Sequence, residues 1–216
     1  MLKISFMVKK IKAVIFDMDG VLIDARNWHY ESLNRALALF GVEISEYDHL
    51  VNFDGLPTKR KLELISKDCR IPNKLHDLIN NLKQVYTLEL VYAKCKPNFQ
   101  HQFALSNLKN SGFKIAVCSN SIRKTIELMM EKSGLNQYLD FYLSNQDVIL
   151  AKPDPEIYIK AIQRLGLAPS ECLIVEDNQN GIKAALASNA HVLKVISSSD
   201  VTYSLIMDHI KIIENA

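Results

Sequence analysis

Short apolar, β-branched runs recur along the chain at residues 13–16, 114–118, 141–143, 172–175 and 191–196, each of strand length. Helical periodicity fills the space between most of them. Ile122, Ile126, Met129 and Met130 share one helix face, with Gly134 placed to end it. Tyr158, Ala161, Ile162 and Leu165 share another, entered through Asp154 as N-cap and Pro155 in the first turn and closed by Gly166. Strands alternating with helices predict βαβ units and a mainly parallel, doubly wound α/β sheet of Rossmann-like type.

After the first strand the rhythm breaks. No further strand pattern occurs before residue 114, and helical stripes take its place. Leu33, Ala36, Leu37 and Phe40 form one, stopped by Gly41. Leu75, Leu78, Ile79, Leu82, Val85 and Tyr86 form a longer one of about five turns. Such a run is too long for a simple crossover. It predicts an α-helical subdomain inserted at residues 25–93, with the core made from residues 1–24 and 94–216.

A chain of 216 residues suits one domain carrying such an insertion. The formal charge of +2 lacks the basic excess of a nucleic-acid binder. Cys69, Cys95, Cys118 and Cys172 show no CxxC spacing, and Cys118 and Cys172 sit in apolar runs. A reduced, cytoplasmic compartment is therefore expected rather than a disulfide framework. The N-terminal segment has no apolar stretch long enough for a signal peptide or a membrane span. Met7 precedes a second basic run, so residues 1–6 read as a loose extension. A monomer without membrane or nucleic-acid partners is the expectation.

The chemistry concentrates at strand ends. FDMDGVLID, residues 16–24, places Asp17 and Asp19 directly after the first strand, with Gly20 permitting a tight turn. Ligands of open α/β sheets bind at these carboxyl ends. Two close carboxylates titrate apart or share a cation, so one can act as a nucleophile while its neighbour carries a proton. Alone, the pair would equally be an acidic turn. Ser119, with Asn120 beside it, ends the second strand near a helix start, a setting for an anionic phosphate oxygen. Lys152, in AKPDPEIY, can neutralise a phosphate and keep a carboxylate ionised. Glu176 and Asp177, in LIVEDNQNG, supply the hard oxygens that Mg²⁺ prefers.

The ordered set DxDGxxxD, a strand-ending serine, KPxPxxY and EDxxxG resembles the haloacid dehalogenase superfamily, in particular the branch of β-phosphoglucomutase and sugar-phosphate phosphatases. The resemblance covers the chain from about Lys9 to His191. It implies a Rossmann-like core with a helical cap, Asp17 as nucleophile and Asp19 as general acid/base. Mg²⁺ is then held by Asp17, the Asp19 main-chain carbonyl and Asp177, with Glu176 in support, while Ser119 and Lys152 bind the transferring phosphate. Asp24 is expected to order the loop.

The implied activity is hydrolysis of a small phosphorylated metabolite, a sugar phosphate, through an aspartyl phosphate. A sugar phosphomutase is the alternative, and a binding protein on the same fold a minor one. His29 stands where the mutase-like branch has a hinge histidine that contacts the acid/base aspartate. FDGLPTKRKLELI, residues 53–65, resembles the substrate-specificity loop of the cap, but Thr58 occupies the position where mutases carry an arginine for the distal phosphate. Lys59 and Arg60 follow and are the candidate substitutes. Thr58, Lys59 and His29 are thus the expected substrate contacts on the cap.

Overall fold

The computed structural model describes residues 11–69 and 71–215. The extension read at residues 1–6 lies outside them. Five parallel strands, β1 (Ala13–Phe16), β2 (Lys114–Cys118), β3 (Phe141–Leu143), β4 (Cys172–Glu176) and β5 (His191–Lys194), form one sheet in the order β3-β2-β1-β4-β5. The topology follows from the residues. All four side chains of β1 are buried, which is what a central parallel strand with helices on both faces requires.

Alternation along each strand then builds two cores. Val14, Phe16, Ile115, Val117, Leu173 and Val175 point to one face. They meet α5 (Phe99–Asn110), α6 (Arg123–Lys132) and α9 (Tyr203–Glu214) through Leu105, Ile126 and Ile206. Ala13, Ile15, Ala116, Cys118, Cys172 and Ile174 point to the other. There they meet Tyr158 and Ala161 of α7 (Glu156–Leu165) and Ala184 and Ala185 of α8 (Gln179–Ala187). The four cysteines are free thiols, three of them buried.

Between β1 and β2 lie α1 (Arg26–Ala38), the short α2 (Glu46–Asp48) continued by a π-helical turn over His49–Phe53, α3 (Thr58–Cys69) and α4 (His76–Lys94). They gather around a third apolar cluster that includes Leu33, Leu37, Leu62, Ile65 and Ile79. Helix α4 packs on both α1 and α6. No helix among the described residues is long and apolar enough to cross a membrane.

The strand pattern matches the sheet with small shifts. β4 runs one residue further, through Glu176, and β5 stops at Lys194, leaving Ile196 exposed. Helix α7 begins at Glu156, whose N–H donates to Asp154 Oδ1 at 2.9 Å. The face of α4 departs more from the pattern. Leu78 and Val85 are exposed, and the buried face carries Lys83 and Thr87 among Ile79, Leu90 and Val91. A lysine on a buried face means that this side of the helix looks onto polar chemistry rather than onto oil.

Ile15 is fully buried in the central strand, so Ile15→Ala should cost about 2–5 kcal/mol through lost contacts and the cavity left behind. Urea unfolding followed by circular dichroism measures this, and a loss under ~1 kcal/mol would mean that the strand is not central.

Candidate active site

β1 lies where the strand order reverses, flanked by β2 and β4, so its carboxyl end opens into the crevice of the sheet. Asp17 N–H still donates to Val175 O at 3.0 Å, which fixes the aspartate beside the end of β4. The chain then turns sharply, with Met18, Val21 and Leu22 buried beneath it. At Gly20 φ is +92°, and a Cβ there would stand 2.1 Å from Asp177 Oδ2. Only glycine allows the two acidic loops to approach so closely.

Lys152 organises the acids. Its Nζ, on a residue only 4% exposed, donates to Asp17 Oδ1 at 2.6 Å, Glu176 Oε1 at 2.7 Å, Tyr158 Oη at 2.7 Å and Cys118 O at 2.8 Å. Tyr158 Oη donates in turn to Glu176 Oε1 at 2.6 Å, and Glu176 Oε2 accepts the Asp177 and Asn178 N–H groups. Burial alone would lower the Lys152 pKa, but Asp17 and Glu176 more than offset it and the ammonium is held charged. Burial drives the Asp17 pKa up; Lys152 opposes this, while Glu176, Asp19 and Asp177 add to the rise.

One lysine therefore faces three acids. Asp17, Glu176 and Asp177 present carboxylate oxygens that all lie within 4.8 Å of one another. Asp177 Oδ2 pairs with Arg26 at 3.0 Å, whereas Oδ1 is buried without a hydrogen-bond partner among the described residues. Burial and then Glu176 push the Asp177 pKa up to about 6, against the pull of Arg26. An orphaned carboxylate oxygen inside a cluster of hard oxygens is a good fit for Mg²⁺. The Asp19 carboxylate stands outside this cluster.

Asp19 is turned instead toward hydrogen-bond donors. Its Oδ1 meets His29 Nε2 at 2.8 Å, and its Oδ2 accepts from Ser121 Oγ at 2.9 Å and Ser119 Oγ at 3.2 Å. Burial works against its ionisation, yet His29, Ser121 and Lys83 bring its pKa down to about 2. Lys83 Nζ lies 3.2 Å from His29 Nδ1. Burial lowers the His29 pKa; Asp19 opposes this and Lys83 adds to it. The lowered pKa favours the neutral ring, and the tautomer assigned from its two contacts has Nδ1 accepting from Lys83 and Nε2–H donating to Asp19.

The inserted helices close over this floor. Asn120 Nδ2 donates to Gly55 O at 3.0 Å and Lys152 O at 3.3 Å, and its Oδ1 accepts from Lys152 N at 3.1 Å. Asp54 Oδ2 meets Arg26 Nε and Asn178 Nδ2, both at 3.2 Å. Between floor and roof lies a cavity of about 190 Å³. Asp17, Asp19, Ser119, Asn120, Lys152 and Glu176 line it from below, and His29, Thr58 and Lys59 from the roof. All the expected site residues thus converge here except Asp177, which sits just behind Asp17.

Two details differ from the sequence reading. Both ends of the Asn120 amide are engaged, so it ties the roof loop to Lys152. Arg60, a candidate clamp, is exposed and paired with Glu63 at 2.8 Å. Arg26, Asp54, Ser121, Lys61, Lys83 and the hydroxyl of Tyr158 belong to the site without standing out in the sequence as site residues. Tyr158 shows as a core position because its ring is one. Lys83 did leave a signal, since it falls on the same stripe as Ile79 and Thr87.

Comparison with known proteins shows what the chain is similar to. The chain is 28% identical over 179 residues to a phosphorylated carbohydrates phosphatase of Thermotoga maritima, covering 81% of this chain and 80% of that one. It is 27% identical over 213 residues to a phosphoglycolate phosphatase of Aquifex aeolicus, covering 95% and 98%. In three dimensions it resembles a β-phosphoglucomutase of Clostridium difficile, with a TM-score of 0.80, 22% identity and coverage of 93% and 97%, a likeness of fold. Residues 14–195 match the sequence profile of the haloacid dehalogenase-like hydrolases, and the chain belongs to that family.

Proposed function

We propose that this protein is a Mg²⁺-dependent phosphatase that hydrolyses a small phosphorylated metabolite, a sugar phosphate, through a phosphoaspartate at Asp17. The observation that carries this is the division of labour between two aspartates two residues apart. Asp17 is gripped by a buried ammonium beside a cluster of carboxylates, while Asp19 is turned away onto proton donors. Mg²⁺ would be held by Asp17 and Asp177, with Glu176 behind them and the Asp19 carbonyl as the family pattern implies, and would supply positive charge where phosphate oxygens gather.

The chain's own residues do the rest. Lys152 keeps Asp17 anionic and lowers the repulsion between its carboxylate and a phosphate dianion. Attack forms the Asp17–phosphorus bond and breaks the bond from phosphorus to the leaving oxygen. Asp19 gives that oxygen a proton. Because Asp19 is ionised in the free enzyme, the proton it gives is taken up from solvent as the dianion binds and raises its proton affinity. The carboxylate left behind then takes a proton from water as the water attacks phosphorus, releasing phosphate and restoring Asp17. Ser119 and Ser121 steer the Asp19 carboxylate, and His29 holds its other oxygen.

Thr58 in the roof favours hydrolysis over isomerisation, because isomerisation needs a cationic fork at that position to hold a bisphosphate while it turns over. The phosphatases of T. maritima and A. aeolicus support the same reading. We place the protein in the cytoplasm as a monomer, in keeping with its free thiols.

The purified protein should hydrolyse a generic aryl phosphate with Mg²⁺, and stop when the metal is chelated. Asp17→Asn should abolish turnover with the fold retained, because an amide cannot form the acyl phosphate. Full activity in excess chelator, or in a clean Asp17→Asn preparation, would refute the mechanism.

Asp19→Ala should slow hydrolysis of poor leaving groups, such as sugar alkoxides, by about 10²–10⁴-fold, and of an activated aryl phosphate by much less. Steady-state kinetics on both substrates measure this. Equal losses would reduce Asp19 to a positioning residue.

A further inference from the structure

Helix α3 turns one cation inward. Lys61, in its first turn, sits beside Leu62 on the buried side, is 6% exposed and lines the cavity from the roof. It has no hydrogen-bond or ion-pair partner among the described residues. The other buried cations near the cavity are engaged, and Lys59, which also lines it, is exposed to solvent. Lys152 is saturated by Asp17, Glu176, Tyr158 and Cys118, Lys83 reaches His29, and Arg26 binds Asp54 and Asp177.

A buried ammonium without a counter-ion is unfavourable. The groups around Lys61 do not relieve it. Burial lowers its pKa to about 8 even though Asp54 and Asp19 pull the other way, and both of those carboxylates are committed to other donors. Lys83 adds repulsion, and burial together with Lys61 brings its own pKa to about 7. His49, also buried, is held neutral by burial and by Lys61, with its pKa near 3, and so offers no negative charge. The space in front of Lys61 is electrostatically incomplete, and the missing piece is an anion.

On the phosphatase reading the phosphate in reaction would sit on the floor with Lys152 and Ser119, whereas Lys61 lines the cavity from the roof. We infer that Lys61 is the specificity residue of the cap, and that the substrate carries a second anionic group, a carboxylate or a phosphate, which seats on it. This rests on the phosphatase reading and narrows it. The cavity of about 190 Å³ lies below the ~300 Å³ at which pockets for drug-sized ligands begin, so the second anion stands only a short carbon chain from the first.

Matched substrate pairs with and without the second anion test this, using the whole protein with Mg²⁺. Phosphoglycolate is compared with its neutral glycolamide phosphate, and 1,3-propanediol bisphosphate with 3-hydroxypropyl phosphate. The first pair reports a carboxylate and the second a phosphate. In the wild type, the charged member of at least one pair should be favoured by about ten- to a hundredfold in kcat/KM. Lys61→Met should cut that preference at least tenfold and Lys61→Arg should largely keep it, with thermal melting reporting that both variants fold. No preference in the wild type, or one that survives Lys61→Met, would overturn the assignment.

A binding arm separates failure of this inference from failure of the phosphatase reading. Calorimetry should show phosphonoacetate binding at least tenfold tighter than phosphonoacetamide in the wild type and about equally in Lys61→Met. That result without turnover of any phosphate ester would sink the enzymatic reading and leave the Lys61 anion site standing. Turnover of the aryl phosphate together with equal binding of the two phosphonates would do the reverse.

Discussion

A single buried ammonium sits between two carboxylates, and the site cannot be assembled without it. Lys152 bridges Asp17 on β1 and Glu176 on β4, and reaches the carbonyl that ends β2. Three neighbouring strands of the sheet are thus bound at their chemical ends by one side chain. Ion pairs this deep seldom add stability over an apolar core, because desolvation offsets the attraction, but removing one partner leaves a charge stranded. Their value here is positional. The lysine sets where Asp17 stands and opposes the rise that burial imposes on its pKa, and Tyr158 fixes the lysine and Glu176 together.

The remainder of the site follows from having acids in excess of that lysine. Carboxylates this close need a cation, donors or distance. Asp177 takes Arg26 from the roof and keeps one oxygen without a hydrogen-bond partner among the described residues. Asp19 takes His29, also from the roof, and two serines from the floor. Closing the roof is therefore part of balancing the floor, since its first helix brings both the cation for Asp177 and the hydrogen-bond partner for Asp19. The glycines mark where these surfaces touch. A Cβ at Gly20 would strike Asp177, one at Gly55 would lie 2.5 Å from Asn178, and one at Gly181 would overlap Glu176.

How much of this the sequence reveals depends on how local the cause is. The strands are legible because parallel strands buried on both faces must be continuous apolar runs, and those runs end at the residues that do chemistry. Asp17, Asp19, Ser119 and Glu176 stand out for that reason, whereas Lys152, well past the end of β3, shows through its AKPDPEIY context. The roof is harder to read, because its side chains gain meaning only when it docks. Lys59 and Arg60 look like a clamp by distance along the chain from Gly55. Each residue of a helix turns by about 100°, however, so Arg60 faces solvent and Lys59 lines the cavity only as an exposed side chain, while Lys61 lines it from a buried position. The register was not legible without the apolar contacts of Leu62 and Ile65, which orient α3. Tyr158 belongs to both worlds, its ring in the core and its hydroxyl on the acids.

The central claim is that Asp17 is the atom group to which phosphorus is transferred. Rapid mixing of the protein and Mg²⁺ with a ³²P-labelled aryl phosphate, followed by an acid quench within a turnover, tests it most directly. The account predicts label bound covalently to the protein, released by hydroxylamine as an acyl phosphate must be, mapped to the peptide that contains Asp17 and absent from Asp17→Asn. Turnover with no protein-bound label under conditions that slow dephosphorylation, or label on any other residue, would contradict it.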